Sequence, residues 1–147
     1  MAPHRNGTRY EVNKQLSFAL YGAANRLVRM HKPFLEPLGL TFPQYLVVLE
    51  LLGGSPRSVG ELGAKLGMDT GTITPLLKRL EQAELITRRR DAQDERRVLV
   101  ELTFRGEALR GGVWAVPDQI KTACQITEER ANELREALDG VGRSGGG

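Results

Sequence analysis

The chain has 147 residues, 40% of them hydrophobic, and a formal net charge of +3, which suits one domain with helical extensions and a nucleic-acid partner without requiring one. A single cysteine, Cys124, excludes an intrachain disulfide and a cysteine cage for a metal, and His4 and His31 have no ligand spacing around them, so no metal or cofactor is expected. The longest apolar stretch, Tyr45 to Leu52, is too short for a bilayer, and the first residues lack the apolar core of a signal peptide, so the expectation is a cytoplasmic protein with no membrane partner.

Residues 1–10 lack periodicity and read as a disordered N-terminus. From Leu16 an apolar stripe of Leu16, Leu20, Ala23, Leu27, Met30 and Phe34 advances in steps of four and three. That is one face of a long helix, which Pro33 and Pro37 should bend or end. A second helix is expected from about Pro43 to Leu52, after the turn Gly39-Leu40-Thr41, and Gly53-Gly54-Ser55-Pro56 breaks it. Ser58 and Glu61 form a capping box for a third helix, with Val59, Leu62 and Leu66 as its buried face and Gly67 as its stop. Asp69 caps a fourth helix two residues later, with Ile73, Leu77 and Leu80 inward. Two short helices joined through a glycine are a helix-turn-helix signature.

Pro75 conflicts with a regular fourth helix, because an interior proline removes a hydrogen bond. Either the helix starts near Asp69 and accommodates a local distortion, the reading favoured here, or its regular part begins with Thr74 as cap and Pro75 at the first position. Ile86 to Arg90 and Val98 to Leu102 read as strands around the polar turn 91–97, with Val98, Val100 and Leu102 facing one way. A fifth helix is expected from about Phe104 to Thr122, carrying Leu109, Val113, Val116 and Ile120 and bent at Pro117. Thr127 opens a sixth, striped by Ala131, Leu134 and Leu138, and residues 141–147 read as a flexible tail.

This order predicts a mainly α fold with a small β-hairpin wing: a winged helix-turn-helix lobe over residues 41–103. Helical segments 11–38 and 104–140 form a dimerisation region in which the N- and C-terminal helices pack across a two-fold axis. The alternative is that both ends fold back onto one core. The expected partner is double-stranded DNA. Thr70 and Thr72, near the start of the fourth helix, can meet base edges in the major groove beside Pro75, and Lys78 and Arg79 suit phosphates. Arg96, at the tip of the hairpin, suits a narrow minor groove. Asp94 can hold it there, or pair instead with Arg88 or Arg90; Arg88 is counted among the candidate contacts. The competing reading of both elements is an ordinary solvated surface. An enzyme is disfavoured: no phosphate loop is evident, and Ser17 and His31 have neither an Asp partner nor an oxyanion loop. A thiol peroxidase using Cys124, or a helical module that binds protein, are the rival classes.

Several segments carry a family resemblance. The run from Asp94 to Thr103, DERRVLVELT, resembles the wing signature D-x-R-x-x-x-x-x-L-T of MarR-family regulators. Thr72 to Glu81, Gln15 to Tyr21 and Leu40 to Leu46 resemble segments of one branch, the organic hydroperoxide resistance repressors. The similarity spans roughly residues 12–140 and implies a homodimer repressing transcription from a palindromic operator. In that branch a reactive cysteine stands where this chain has Ser17, and tyrosines stand where it has His31 and Phe42; Tyr21 matches. Those phenols are understood to reach the cysteine from the partner subunit. A serine hydroxyl cannot follow the thiol oxidation ladder. Ser17 and His31, fourteen residues apart on one helix, lie about 21 Å apart along it and could meet only across a dimer contact. Replacement of a cysteine to lock the protein reduced explains Ser17 alone, whereas a relative that has lost peroxide chemistry explains all three departures. Ser17, Tyr21, His31 and Phe42 would then line a pocket for a small-molecule effector; otherwise His31 is a helix-end residue with no ligand. Some members of the branch pair the first cysteine with a second near the last helix. Here Cys124 has no such partner, and it reads as a bystander or as a one-cysteine redox switch toward an organic hydroperoxide.

Overall fold

The computed structural model describes residues 11–143, so the expected disorder of residues 1–10 and most of the expected tail fall outside it. Among the described residues, a short 3-10 turn, Val12–Lys14, leads into α1, Leu16–Leu35. Pro33 sits inside α1 just before its end, and a second 3-10 turn, Glu36–Leu38, follows; Gly39 closes it at φ 71°, a left-handed conformation that costs glycine little. Helix α2 spans Phe42–Gly53, one residue ahead of the expected start. The reason is a second capping box: Thr41 Oγ1 accepts from the Gln44 N–H, and Gln44 Oε1 accepts from the Thr41 N–H at 3.0 Å. Tyr45, Val47, Val48, Leu51 and Leu52 of α2 are all buried.

The expected box at Ser58 opens α3, Val59–Leu66, with the Glu61 N–H donating to Ser58 Oγ at 3.0 Å. Gly67 ends it at φ 66°. Helix α4 runs Thr70–Gln82, capped by Asp69, whose Oδ1 accepts from the Thr72 N–H at 2.9 Å. Pro75 lies within this one helix, so the start near Asp69 holds and the alternative start at Thr74 does not. Leu76 joins Ile73, Leu77 and Leu80 on the buried face.

The hairpin is part of a larger sheet than the sequence announces. Strand β1, Arg57–Ser58, pairs antiparallel with β3, Val98–Leu102, placing Arg57 opposite Val100 and Ser58 opposite Leu99. Strand β2, Ile86–Arg90, pairs with the other edge of β3, from Ile86 opposite Leu102 to Arg90 opposite Val98, giving the order β1-β3-β2. Two residues behind a Gly-Ser-Pro break carry no alternation, so β1 is invisible to pattern reading.

The expected fifth helix is two helices, a correction to the sequence reading: α5, Phe104–Glu107, and α6, Arg110–Cys124. Thr103 caps α5 and donates its hydroxyl to the Glu84 carbonyl at 2.6 Å. A Cβ at Gly106 would lie 2.3 Å from the Leu85 carbonyl oxygen, so only glycine lets α5 lie against that backbone. Gly106 and the pair Gly111-Gly112 also weaken helical preference through this stretch. Pro117 is accommodated inside α6, and Thr127 caps α7, Glu128–Asp139, as expected.

One core unites these parts. Val113 and Val116 of α6 and Leu35 of α1 pack in the same cluster as Leu51, Leu62, Ile73, Leu77, Leu80 and Val100. Helix α7 has no buried residue, and its Leu134 and Leu138 are exposed. No single helix among the described residues is long and apolar enough to cross a membrane, and no cluster of side chains there could hold a metal ion.

Candidate nucleic-acid interface

Helix α4 presents Thr70, Thr72, Thr74, Pro75, Lys78 and Arg79 to solvent while its leucines and Ile73 face the core. Neither Lys78 nor Arg79 has an ion-pair partner among the described residues, so both charges are free for phosphates. Thr74 was not among the sequence candidates. It shares a face with Thr70 and Lys78 at intervals of four, a spacing that could have marked it.

The wing tip is stitched from within. Asp94 Oδ1 accepts from the Arg96 backbone N–H at 3.1 Å and from Arg96 Nε at 3.2 Å. Arg96 remains 91% exposed: the carboxylate holds the guanidinium by its Nε edge, and Nη1 and Nη2 have no partner among the described residues. Of the pairings open to Asp94, this is the one formed. Arg90 instead donates to the Glu95 carbonyl at 2.8 Å, which closes the turn. Arg88 turns inward: its Nη2 donates to Glu81 of α4 at 3.0 Å, and its Nε is buried with no hydrogen-bond partner among the described residues. That geometry makes Arg88 a brace between β2 and α4 rather than a protruding contact. The Arg88 hydrogen bond in turn holds the Glu81 carboxyl below its ordinary pKa.

Arg97 is a further residue that the sequence did not single out, and Glu61 was read only as a helix cap. Arg97 Nη2 donates to Glu61 Oε1 at 2.6 Å across thirty-six residues of chain, a separation with no local pattern to read. A cavity of about 330 Å³ lies between the start of α3, α4 and the wing, lined among others by Ser58, Gly60, Thr74, Arg88, Arg96 and Arg97.

The second candidate set is only half assembled in one protomer. His31 is buried, with its Nδ1 2.7 Å from the Leu27 carbonyl; a carbonyl only accepts, so Nδ1 carries the proton. Its ring meets Phe42 edge-on at 4.7 Å, and Tyr45, another residue outside the sequence candidates, stands 6.0 Å from both rings. Burial raises the Tyr45 phenol above its ordinary pKa. Ser17 and Tyr21 lie at the opposite end of α1, both exposed, and do not join this cluster within the chain. Cys124 is half-buried with Sγ 4.0 Å from Met30 Sδ, which also places it near the far end of α1 from Ser17.

The chain is similar to known transcriptional regulators. A family model described as transcriptional regulator SarA/Rot matches residues 29–110. The organic hydroperoxide resistance transcriptional regulator of Bacillus subtilis is 38% identical over 128 residues, covering 87% of each chain. The HTH-type transcriptional regulator MgrA of Staphylococcus aureus is 35% identical over 133 residues, covering 90% of each. Among solved structures, overoxidized AbfR bound to DNA superposes with a TM-score of 0.73 at 27% identity, covering 92% of this chain and 94% of that one. The resemblance read from the wing and recognition-helix residues is therefore borne out: the chain belongs to the SarA/Rot family of transcriptional regulators, built on the MarR-like winged helix.

Proposed function

We propose that this protein is a homodimeric repressor that binds a palindromic operator and is released by a small-molecule effector or an oxidant. The observation that carries the DNA reading is the exposed, uncompensated face of α4 beside a wing tip whose Arg96 is held at Nε by Asp94 and is 91% exposed. Thr70, Thr72, Pro75, Lys78 and Arg79 are assigned to the major groove and its phosphates, and Arg96 to the adjacent minor groove. AbfR, a neighbour in fold, is captured on DNA in the same overall architecture. Dimerisation through residues 11–38 and 104–140 is supported by the exposed apolar side chains Leu16, Phe18 and Tyr21 on α1 and Leu134 and Leu138 on α7. We read the protein as a regulator without catalytic turnover, acting in the cytoplasm where its DNA lies.

For the effector, Ser17 and Tyr21 of one protomer are proposed to face His31 and Phe42 of the other, since α1 keeps the two pairs apart within a chain. Ser17 has no thiolate, so the pocket is read as ligand-responsive or locked in a reduced state. Fluorescence anisotropy on DNA from the protein's own promoter, with and without an organic hydroperoxide, tests both halves. Tight binding that steepens as salt is lowered supports the operator reading, and binding indifferent to salt is contrary to it. Release by peroxide in this chain implicates Cys124. Release only after Ser17→Cys identifies a locked sensor, and release in neither leaves the ligand-responsive reading.

A further inference from the structure

We infer that Arg97, paired with Glu61, is a strut that fixes the direction of the wing and is thereby a positioning residue for minor-groove contact by Arg96. The inference rests on the winged-helix DNA reading above, but half of its test does not.

The two arginines at the tip are adjacent in sequence and differently engaged. Arg96 is 91% exposed and bonds only to Asp94 within the turn. Arg97 is 45% exposed and reaches back to Glu61 in the first turn of α3 at 2.6 Å, with Asp91 of the turn 3.9 Å away. Glu61 is engaged at its other oxygen as well: Oε2 accepts from the Ser58 N–H in the capping box at 3.4 Å. The strut thus ends on the capped start of α3 rather than on a side chain with no other bond.

Its position matters mechanically. The sheet is three strands wide only where β1 pairs, opposite Leu99 and Val100. Beyond Leu99 only one further strand pair, Arg90 opposite Val98, and the turn project, and the cavity of about 330 Å³ lies between that part and α3 and α4. A two-stranded ribbon twists and bends readily when nothing backs it. Arg97 immediately precedes the first β3 residue, Val98, on the tip side of this hinge. The wing's own bonds, Asp91 N–H to the Arg97 carbonyl and Arg97 N–H to the Asp94 carbonyl, both 2.9 Å, hold the turn together but do not anchor it to the rest of the protein. Glu61–Arg97 is the ion pair among the described residues that spans from turn to helix-turn-helix. An exposed pair contributes little to global stability, so its consequence is geometric: it sets where Arg96 stands relative to α4.

The test uses the full-length protein with Arg97→Ala, and Arg97→Lys as a variant that keeps the charge. The first readout is backbone NMR order parameters of Ala92, Gln93 and Glu95 without DNA. The strut predicts values near about 0.85 in the parent, below about 0.6 in Arg97→Ala and intermediate in Arg97→Lys. Wing amides equally ordered in parent and Arg97→Ala overturn it, whether or not DNA is the partner. The second readout is a double-mutant cycle on promoter DNA. Arg96→Ala is expected to weaken the parent about tenfold and the Arg97→Ala protein only about twofold. Equal losses in both backgrounds, with a salt slope lowered by about 0.9 for Arg97→Ala, would make Arg97 a direct phosphate contact and overturn the positioning role. A parent that binds no DNA defeats the proposed function, and the order parameters still decide the strut.

Discussion

At the tip of the wing a single carboxylate, Asp94, takes two hydrogen bonds from Arg96, one from its backbone and one from its side chain. Such a residue loses little of its own fold when truncated. Arg96→Ala is expected to leave the melting temperature within about 2 °C of the parent, since exposed substitutions away from special features are near neutral. The same change should weaken operator binding roughly tenfold at physiological salt, the effect of losing about 1–2 kcal/mol of groove contact; unchanged anisotropy titrations would refute the wing assignment. Glu81 makes the contrasting case, because its partner Arg88 lowers its pKa in the folded state. A depressed folded value means that the pair's contribution is complete above the ordinary carboxylate pKa and disappears as pH falls through the folded value. Thermal melts of the parent and Glu81→Gln should therefore differ at pH 6 to 8 and converge only in acid. A difference that stays constant down to about pH 2 is contrary to the pairing. The charges themselves were legible in the sequence, but their partners were not. Asp94 had Arg88, Arg90 and Arg96 within reach along the chain, and only the hairpin's register and turn decide among them.

Helix α4 carries the recognition surface on a frame set by one cap. Asp69 supplies the oxygen that satisfies the Thr72 N–H, and Pro75 one and a half turns later supplies no N–H of its own. Loss of the cap thus acts on a helix already short of one hydrogen bond. Asp69→Ala is expected to lower stability by about 1 kcal/mol, the ordinary value of an N-cap. Affinity for DNA should fall by more than that stability loss alone implies, because Thr70 and Thr72 sit in the frayed turn. Chemical denaturation and anisotropy on the same preparations check this, and a variant with full affinity would detach the first turn from DNA contact. The helix start was readable because capping is local chemistry. The break between α5 and α6 was not: the apolar spacing begins at Leu109 inside the break, so it has no phase across the break to read. The contact that selects Gly106, the Leu85 carbonyl, comes from a distant part of the chain.

Across the whole molecule, apolar surface is distributed unevenly between the lobe and the terminal helices. The lobe closes its core completely, with Val47, Leu62, Leu77, Leu80 and Val100 at 0% exposure, while Leu16 at the start of α1 stands at 66% and Leu134 on α7 at 53%. In an isolated protomer a charge at an exposed leucine changes stability little. Across a dimer contact it leaves a buried charge without a partner. Leu134→Asp is therefore expected to shift the protein from dimer to monomer in sedimentation velocity and to abolish operator binding, since two half-sites one helical turn apart need two lobes. A variant that remains dimeric would move the interface away from α7.

The sequence by itself determined the starts of α1, α3, α4, α5 and α7, the helix-turn-helix and the hairpin strands, because caps, glycine stops and apolar spacing act within a few residues of chain. It also determined the family, through the wing run from Asp94 to Thr103 and the segments that resemble one branch. Only the tertiary structure decided that β1 backs the wing, that Arg88 braces α4, that His31 joins Phe42 and Tyr45 in an aromatic cluster away from Ser17, and that Arg97 reaches Glu61. Each of these joins residues far apart in the chain by a contact of a few ångströms, and no period or composition encodes such a contact until the core has brought the elements together.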